Sequence, residues 1–320
     1  MNYIRCHGSG NRFLMLDAVR HPELEALGRF PQLVEAICCH EERVDGLLLT
    51  GFDGEHYGMR MFNTDGSEAE MCGNGIRCVA RMAQEYVGEQ EAFDLYSGGK
   101  LHGVMRLEPI FEQIPTYHIL IGISLSSKDF TPSAELREGW INRPIEELDP
   151  QLRFTFLNLG NPHLVAEVEK IDIEQLERLG ERVKELGELL PHGVNVSLFC
   201  HTADQEIYTA TYERGVGLTS SCGTAMTACS TAACLMGLCR SGVPIRVRNK
   251  GGMVQCSCHR SEGEIKTSLA GNATYYAVGS LTLDLEAGRL VAMHDEKLLD
   301  EEIAQYERFF RSVQEPPRGA

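Results

Sequence analysis

Long apolar runs, lysine and tryptophan are what this sequence has least of. Nothing in its 320 residues approaches the ~20 consecutive apolar residues of a bilayer-spanning helix, and the opening MNYIRCHGSGNRFLMLDAV reaches glycine and asparagine before any sustained apolar run. A membrane span and a secretory leader are therefore not expected, and the reading is cytoplasmic. Basic residues number 30 against 46 acidic ones, a formal charge of −16, which repels nucleic acid and anionic membrane as partners. Only seven lysines are present and none sits in a setting that singles it out as a Schiff-base residue, so pyridoxal-phosphate chemistry is set aside. SGGK at 97–100 lacks the upstream glycine spacing and following hydroxyl residue of a phosphate loop. Neither Cys38-Cys39 nor Cys256-Ser-Cys258 has C-x2-C spacing, and no histidine cluster follows, so no metal is expected.

Cysteine itself is plentiful. Twelve occur in a chain too long, and without the secretory leader, for a disulfide scaffold, so reduced thiols are expected. Ten of them (Cys6, Cys38, Cys39, Cys78, Cys200, Cys229, Cys234, Cys239, Cys256 and Cys258) read as small packing residues. Cys72 and Cys222 differ, because each stands directly before glycine where a helix is about to begin, in EMCGNGIRC and SSCGTAMTAC.

These two cysteines are part of a repeat at one offset. Gly10-Asn11 matches Gly160-Asn161, Val44-Asp45 matches Val194-Asn195, and MFNTDGSEAEMCGN at 61–74 matches TYERGVGLTSSCGT at 211–224, always shifted by 150. Several matches in order at one shift imply two similar halves related by pseudo-two-fold symmetry. Identity concentrates where strands end and helices begin, which a site in a cleft between the halves would explain.

Short β-rich segments such as FLMLDAV, GLLLTGF, HYGMRMF, FTFLNL, HLVAEVE, VNVSLFC and IYTATYE outnumber the helical patterns PELEALG, PQLVEAICCH, IRCVARMAQEYVG and IEQLERLGERVKELGELL. Their order is not a regular βαβ alternation, so the fold class is α+β rather than a doubly wound sheet. The expected division is 1–117 plus about 270–287 for the first half, 118–269 for the second, and 288–320 as an extra helical tail. In that tail Leu299, Ile303, Tyr306 and Phe310 share one helix face, and the following Pro-Pro ends the helix.

A helix N-terminus offers unpaired N–H groups and partial positive charge, so each Cys-Gly-x start can cradle an anion and favour a thiolate. Two such starts closing on one amino-acid carboxylate would stabilise the charge that builds up there when the α-proton leaves. One thiolate takes that proton and the thiol on the opposite face delivers another, giving inversion without metal or cofactor. Asn11, Asn63, Asn161 and Asn195, with Glu213 and Arg214, read as a polar lining: an arginine fork for a second carboxylate, a carboxylate for a second ammonium, and amides for orientation. A redox pair is the competing reading, and a lone cysteine hydrolase with His163 as its base is a third.

At these residues the chain resembles the diaminopimelate epimerase family. HGSGNRF, VDGLLL, FNTDGSEAEMCGNGIRCVAR, GNPH, GVNVS, YERGVG and CGTA run in that family's order from residue 7 to about 279. The resemblance implies two pseudo-symmetric α/β domains and the interconversion of LL- and meso-diaminopimelate, in lysine and peptidoglycan precursor synthesis, with no cofactor. It makes Cys72 and Cys222 the acid/base pair and places the reacting carboxylate on the amides of Gly73-Asn74 and Gly223-Thr224. It puts Asn11, Asn63, Asn161, Asn195, Glu213 and Arg214 around the rest of an amino-acid substrate, lets His163 and Glu213 influence the thiols, and implies a homodimer. A racemase of another amino acid, such as histidine, and a catalytically silent binding homologue are the alternatives. Three positions depart from the pattern: Arg12 stands for the usual Asp, Leu218 for Glu and Ala225 for Gly.

Overall fold

Glycine, asparagine and proline cut the β-rich segments short, and the resulting structure is built mainly of short strands with five α-helices among the described residues. The computed structural model describes residues 1–24, 30–40, 44–69, 72–125, 139–261 and 264–314. The architecture is two-domain α+β: one unit comprises 1–119 and 271–312, the other 120–270 and 313–320. The helices are α1 (Phe30–Cys38), α2 (Gly73–Val87), α3 (Ile173–Glu185), α4 (Gly223–Leu235) and α5 (Asp300–Gln314).

In the first unit Asn2–Gly8 and Asn11–Asp17 form a hairpin, Gly46–Asp53 joins the second strand in parallel, and His56–Asn63 returns antiparallel. Tyr3, Leu14, Leu16, Leu47, Leu49 and Phe62 face one way and meet Leu33, Val34 and Ile37 of α1 in a buried core. That period-two alternation along the strands against a helical stripe is the pattern of a half-buried sheet with one helix laid on it.

The second unit repeats the plan. Asp149–Asn158 pairs with Pro162–Glu167, Asn195–Ala203 joins in parallel, and Glu206–Glu213 returns antiparallel. Here Phe154, Phe156, Leu164, Val196 and Leu198 meet Leu176, Leu179 and Val183 of α3. Gly180 is required in α3 because a Cβ there would lie 2.3 Å from the Tyr212 ring.

Register refines the repeat. Phe13 pairs with Gly46 as His163 pairs with Asn195, and Gly46 opposes Asn63 in the return ladder. The shift is therefore 150 at His163, 149 at Asn195, and 150 again where His56–Asn63 meets Glu206–Glu213. The first unit thus has one residue more between these points, and by this register the strand counterpart of Asn195 is Gly46, not Asp45. One-residue slips of this kind are invisible in a string match but reverse which face a side chain occupies.

The tail expected to be helical from 288 is corrected for its first part. Arg289–Leu298 is a strand, antiparallel to Thr274–Asp284, reached through a turn with Gly288 at φ 63°. Its run of charges conceals it from pattern reading: the ladder satisfies the backbone while His294, Asp295 and Lys297 face solvent, and Glu296 receives Tyr3 Oη and Arg5 Nε at 2.6 Å each. Helix α5 follows and docks on a face centred on the buried Gln305 and Phe309, with Ile303, Tyr306 and Phe310 of the expected face half-buried beside them, Tyr306 edge-on to the His7 ring, and Glu302 accepting a fork from Arg81 at 2.7 and 2.8 Å. The Pro-Pro expected to end it lies outside the described residues, as does part of PELEALG. No helix among the described residues is long and apolar enough to cross a membrane.

Candidate active site

Cys72 and Cys222 each take the N-cap position of a helix. Both have extended backbone, φ −139° and ψ 101° for Cys72 and φ −130° and ψ 111° for Cys222, and the carbonyl of each accepts the first helical N–H, from Ile76 at 2.9 Å and Met226 at 3.0 Å. Cysteine is not a usual cap. In α2 it does the work of one, since the Gly75 N–H points at Cys72 Sγ at 3.4 Å.

In the first unit Asn11 Oδ1 lies 3.9 Å from Cys72 Sγ and accepts Asn74 Nδ2 at 3.3 Å, while Asn11 Nδ2 donates to Asp45 Oδ2 at 3.0 Å. Cys72, Gly73, Asn74 and Asn11 thus form one cluster at the start of α2. Asn63 donates to Ser67 Oγ at 3.0 Å within its own turn.

The second unit reproduces the contact between repeat-related positions with different chemistry. Asn161 Nδ2 donates to Thr224 Oγ1 at 3.4 Å, and Thr224 Oγ1 lies 3.5 Å from Cys222 Sγ. Asn161 Oδ1 is 2.9 Å from His163 Nε2, so that nitrogen carries the proton and Nδ1 is left buried without a partner among the described residues. The Glu213 carboxylate interacts with the Cys222 thiol. Asn195 Oδ1 accepts the Arg214 N–H at 2.9 Å, and the exposed Arg214 donates one Nη1 hydrogen bond to the His192 carbonyl at 2.8 Å.

The thiols do not behave as their helix positions alone suggest. Burial pushes Cys72 up to about 11, against the opposing pull of the Gly75 and Asn74 amides and the Arg77 guanidinium. Burial and then the Glu213 carboxylate push Cys222 well above the ordinary thiol range, with Thr224 and the Ala225 amide opposing. Both are protonated in the free protein at neutral pH: desolvation of the thiolate outweighs the helix dipole.

Motif reading passes over Arg77 and Asp45, which hold the Cys72 cluster in place. Arg77 is fully buried and donates to the carbonyls of Gly73 and Asn272 at 3.2 and 3.0 Å, to Ser9 Oγ at 3.1 Å and to Asn74 Oδ1 at 3.0 Å. The available signal was an arginine among Gly73, Ile76, Val79 and Ala80 on the core-facing side of a helix.

Burial, and for His163 the nearby Arg214, lowers its pKa to about 3; burial, then Arg12 and Arg77, do the same to His7. The unfolded chain takes up these protons below about pH 6.5 while the folded chain refuses them until about 3. Stability is thus fully present above 6.5 and is lost as pH falls, by about 1.4 kcal/mol per pH unit per histidine. Urea midpoints at pH 7 and pH 5 should show the decline, and His163→Gln should make it shallower. An unchanged slope in that variant would mean His163 is protonated in the folded protein.

A family model described as diaminopimelate epimerase matches residues 3–102 and 155–276. A diaminopimelate epimerase of Clostridium acetobutylicum is 36% identical over 316 residues, covering 97% of this chain and 94% of that one. One from Listeria innocua is 31% identical over 325 residues, covering 98% and 97%. Among solved structures, a Bacillus anthracis phenazine biosynthesis protein of the PhzF family superposes with a TM-score of 0.62 at 14% identity, covering 86% of this chain and 96% of that one. A methylitaconate-delta-isomerase gives 0.57 at 10%, covering 95% and 97%. At such identities the two structures speak to the fold alone.

Proposed function

The chain belongs to the diaminopimelate epimerase family, and from that premise we propose how its own residues carry the reaction. It is an isomerase that interconverts LL- and meso-diaminopimelate in lysine and peptidoglycan precursor synthesis. The α-proton of an amino acid is a weak acid, so the protein must lower the energy of the carbanion and hold a base and an acid on opposite faces of one carbon.

Cys72 and Cys222 are the proton carriers in this reading. The observation that supports it is that each unit independently sets a cysteine with extended backbone at the N-cap position of a helix whose next residues are glycine and a small polar side chain. The amides of Gly73-Asn74 and Gly223-Thr224 receive the carboxylate on which negative charge develops. Because both thiols start protonated, one must be deprotonated as substrate binds. Glu213, in contact with Cys222, can accept that proton, and the positive charge of the substrate ammonium stabilises the thiolate. Asn11, Asn63, Asn161, Asn195 and Arg214 orient the rest of the molecule, with His163 fixing the Asn161 amide through its Nε2–H. The scheme requires the two units to address one α-carbon from opposite sides. The homodimer implied by the family and the cytoplasmic residence read from the sequence are carried in the same reading, which light scattering and cell fractionation address.

In D2O the product diastereomer should carry deuterium at the inverted carbon from the first turnover, while unreacted substrate keeps its protium, because a thiol holds a single proton and the incoming one arrives on the far face. Product that retains the substrate's own protium would mean one base serves both faces and would end the two-cysteine scheme.

A further inference from the structure

The surroundings of the two cysteines match except in the sense of one amide. Each sulfur is met by the backbone N–H three residues along its helix, Gly75 for Cys72 at 3.4 Å and Ala225 for Cys222. Each cluster also holds a repeat-related asparagine, Asn11 or Asn161, and these two side chains are turned opposite ways. In the second unit the His163 Nε2–H occupies Asn161 Oδ1, so Asn161 Nδ2 faces Thr224 Oγ1 at 3.4 Å. Supplied with an N–H, that hydroxyl has its own hydrogen for Cys222 Sγ at 3.5 Å. In the first unit Asn11 Oδ1 faces Cys72 Sγ at 3.9 Å, a contact to which the sulfur must bring the hydrogen. A donor at sulfur favours the thiolate, an acceptor the thiol.

Asp45 sets the sense of the Asn11 amide. Its backbone N–H donates to the Arg12 carbonyl at 2.7 Å while its Oδ2 accepts the Arg12 N–H at 2.7 Å, so the residue is clasped to the chain neighbour of Asn11. The same oxygen accepts Asn11 Nδ2 at 3.0 Å. A carboxylate only accepts, so Asn11 must send its nitrogen to Asp45 and its oxygen to the other side, where the Cys72 sulfur lies. There Asn74 Nδ2 donates to the same oxygen at 3.3 Å, a longer and weaker tether than the one at Asp45. The amide turned over would set its oxygen against the carboxylate.

We propose that Asp45 is a positioning residue for Cys72: by holding the Asn11 nitrogen it keeps that amide's oxygen on the sulfur, so that Cys72 retains its hydrogen in the free protein and acts first as the acid. Cys222, beside the Glu213 carboxylate and a hydroxyl donor, is then the thiol that gives up its proton as substrate binds. The proposal rests on the reading of Cys72 as a proton carrier. Charged and titratable groups reach this cluster from each element packed on it. Strand Asn2–Gly8 brings the neutral His7 and the Cys6 thiol, held protonated by burial. Asn11–Asp17 brings Arg12, set over the Tyr276 ring. Helix α2 brings Arg77, which lowers Cys72, and Cys78, which raises it. Tyr306 of α5, edge-on to the His7 ring, stays a phenol. On α1, burial and then Cys39 and Asp45 push the Cys38 thiol up to about 12. Strands Gly46–Asp53 and His56–Asn63 present the apolar Leu48 and Met59 next to Gly75.

The test is the pH profile of iodoacetamide alkylation at Cys72, read peptide by peptide in the full-length protein by mass spectrometry. Asp45→Ala removes the acceptor; Asp45→Asn loses the charge but can keep an oxygen in the place of Oδ2 for both N–H groups. Asp45 is exposed, so both variants should fold. At pH values below the wild-type inflection the Ala variant should label about three- to tenfold faster than wild type, and the Asn variant within about twofold of it. The full profile separates proton affinity from access, since a change of access scales the rate on both sides of the inflection. Asn11→Ala should label as fast as Asp45→Ala, and combining the two should add nothing, because Asp45 acts through Asn11. Equal rates in the Ala and Asn variants would assign the effect to the carboxylate's charge acting through space and overturn the proposal. A wild-type rate in Asp45→Ala, a rate scaled equally at every pH, or a further change in the double variant would overturn it too. If Asp45→Ala does not fold, Asn11→Ala decides: labelling no faster than wild type would show that the amide does not hold the Cys72 hydrogen. Labelling needs no turnover, so its outcome stands apart from the deuterium experiment that tests the two-cysteine chemistry.

Discussion

Cys72→Ala and Cys222→Ala should each abolish inversion, by roughly 10⁴-fold in kcat, since in the proposed scheme each removes a whole proton-transfer step and leaves no group at that face to replace it. The loss should be one-sided in a revealing way. A variant that retains one thiol can still exchange the α-proton of the diastereomer whose proton points at that thiol, with retention of configuration. Cys72→Ala should therefore wash deuterium into one diastereomer and Cys222→Ala into the other, with neither forming the opposite isomer. Mass spectrometry of the separated diastereomers after incubation in D2O reads this directly, and circular dichroism guards against misfolding. The α4 variant is the riskier fold, because that helix is buried from Gly223 to Ala233. If either variant kept more than about a tenth of wild-type inversion, or both exchanged the same diastereomer, the thiols would not be acting on opposite faces.

The place of the two cysteines in the fold was largely readable from the sequence because it is written in local chemistry: Cys-Gly at a helix start, twice, at a constant offset. Extended caps at both cysteines need only a helix pattern and a residue preceding it. The internal plan of each unit was readable for the same reason, since short β-rich segments bounded by turn residues have few alternatives. What escaped depends on residues far apart in sequence. Burial decides the protonation of Cys72 and Cys222, and burial is a tertiary quantity that reverses the local expectation of a thiolate. The one-residue slip that pairs Gly46 rather than Asp45 with the place of Asn195 follows from ladder register, which a string comparison does not contain. Arg289–Leu298 carries the charges of a solvated tail yet is a strand, because its partner Thr274–Asp284 supplies the hydrogen bonds. Arg77 was in plain view inside EMCGNGIRC, but its significance comes from Ser9 and Asn272, 68 and 195 residues away along the chain.

Gly8→Ala should lower kcat by about ten- to a hundredfold and destabilise the first unit by about 1–3 kcal/mol, a large effect for one methyl group. Gly8 ends the strand that turns through Ser9 and Gly10, both at positive φ of 53° and 79°, the two-residue geometry that hairpins favour. A Cβ on Gly8 would stand 2.8 Å from the Asn74 carbonyl oxygen and 3.0 Å from its Cα, with Arg77 Nη2 at 2.7 Å. Two of those three neighbours are backbone of the first turn of α2, which cannot swing aside as a flexible side chain does. Relief must come from separating the hairpin from the helix start, which moves the Asn74 amide, the Asn11 contact and the Arg77 fork together. A displacement of a fraction of an ångström in groups that must meet a developing charge is worth orders of magnitude in rate, because oriented dipoles lose their alignment before they lose their contacts. Gly122→Ala is the matched control, since a Cβ there meets nothing within 4 Å. Kinetics on the two variants, with urea midpoints alongside, separate the effects: the control should match wild type in both. A Gly8→Ala protein with wild-type kcat would show that the hairpin and the start of α2 can part without cost, and that the close approach of these backbones has no bearing on the chemistry at Cys72.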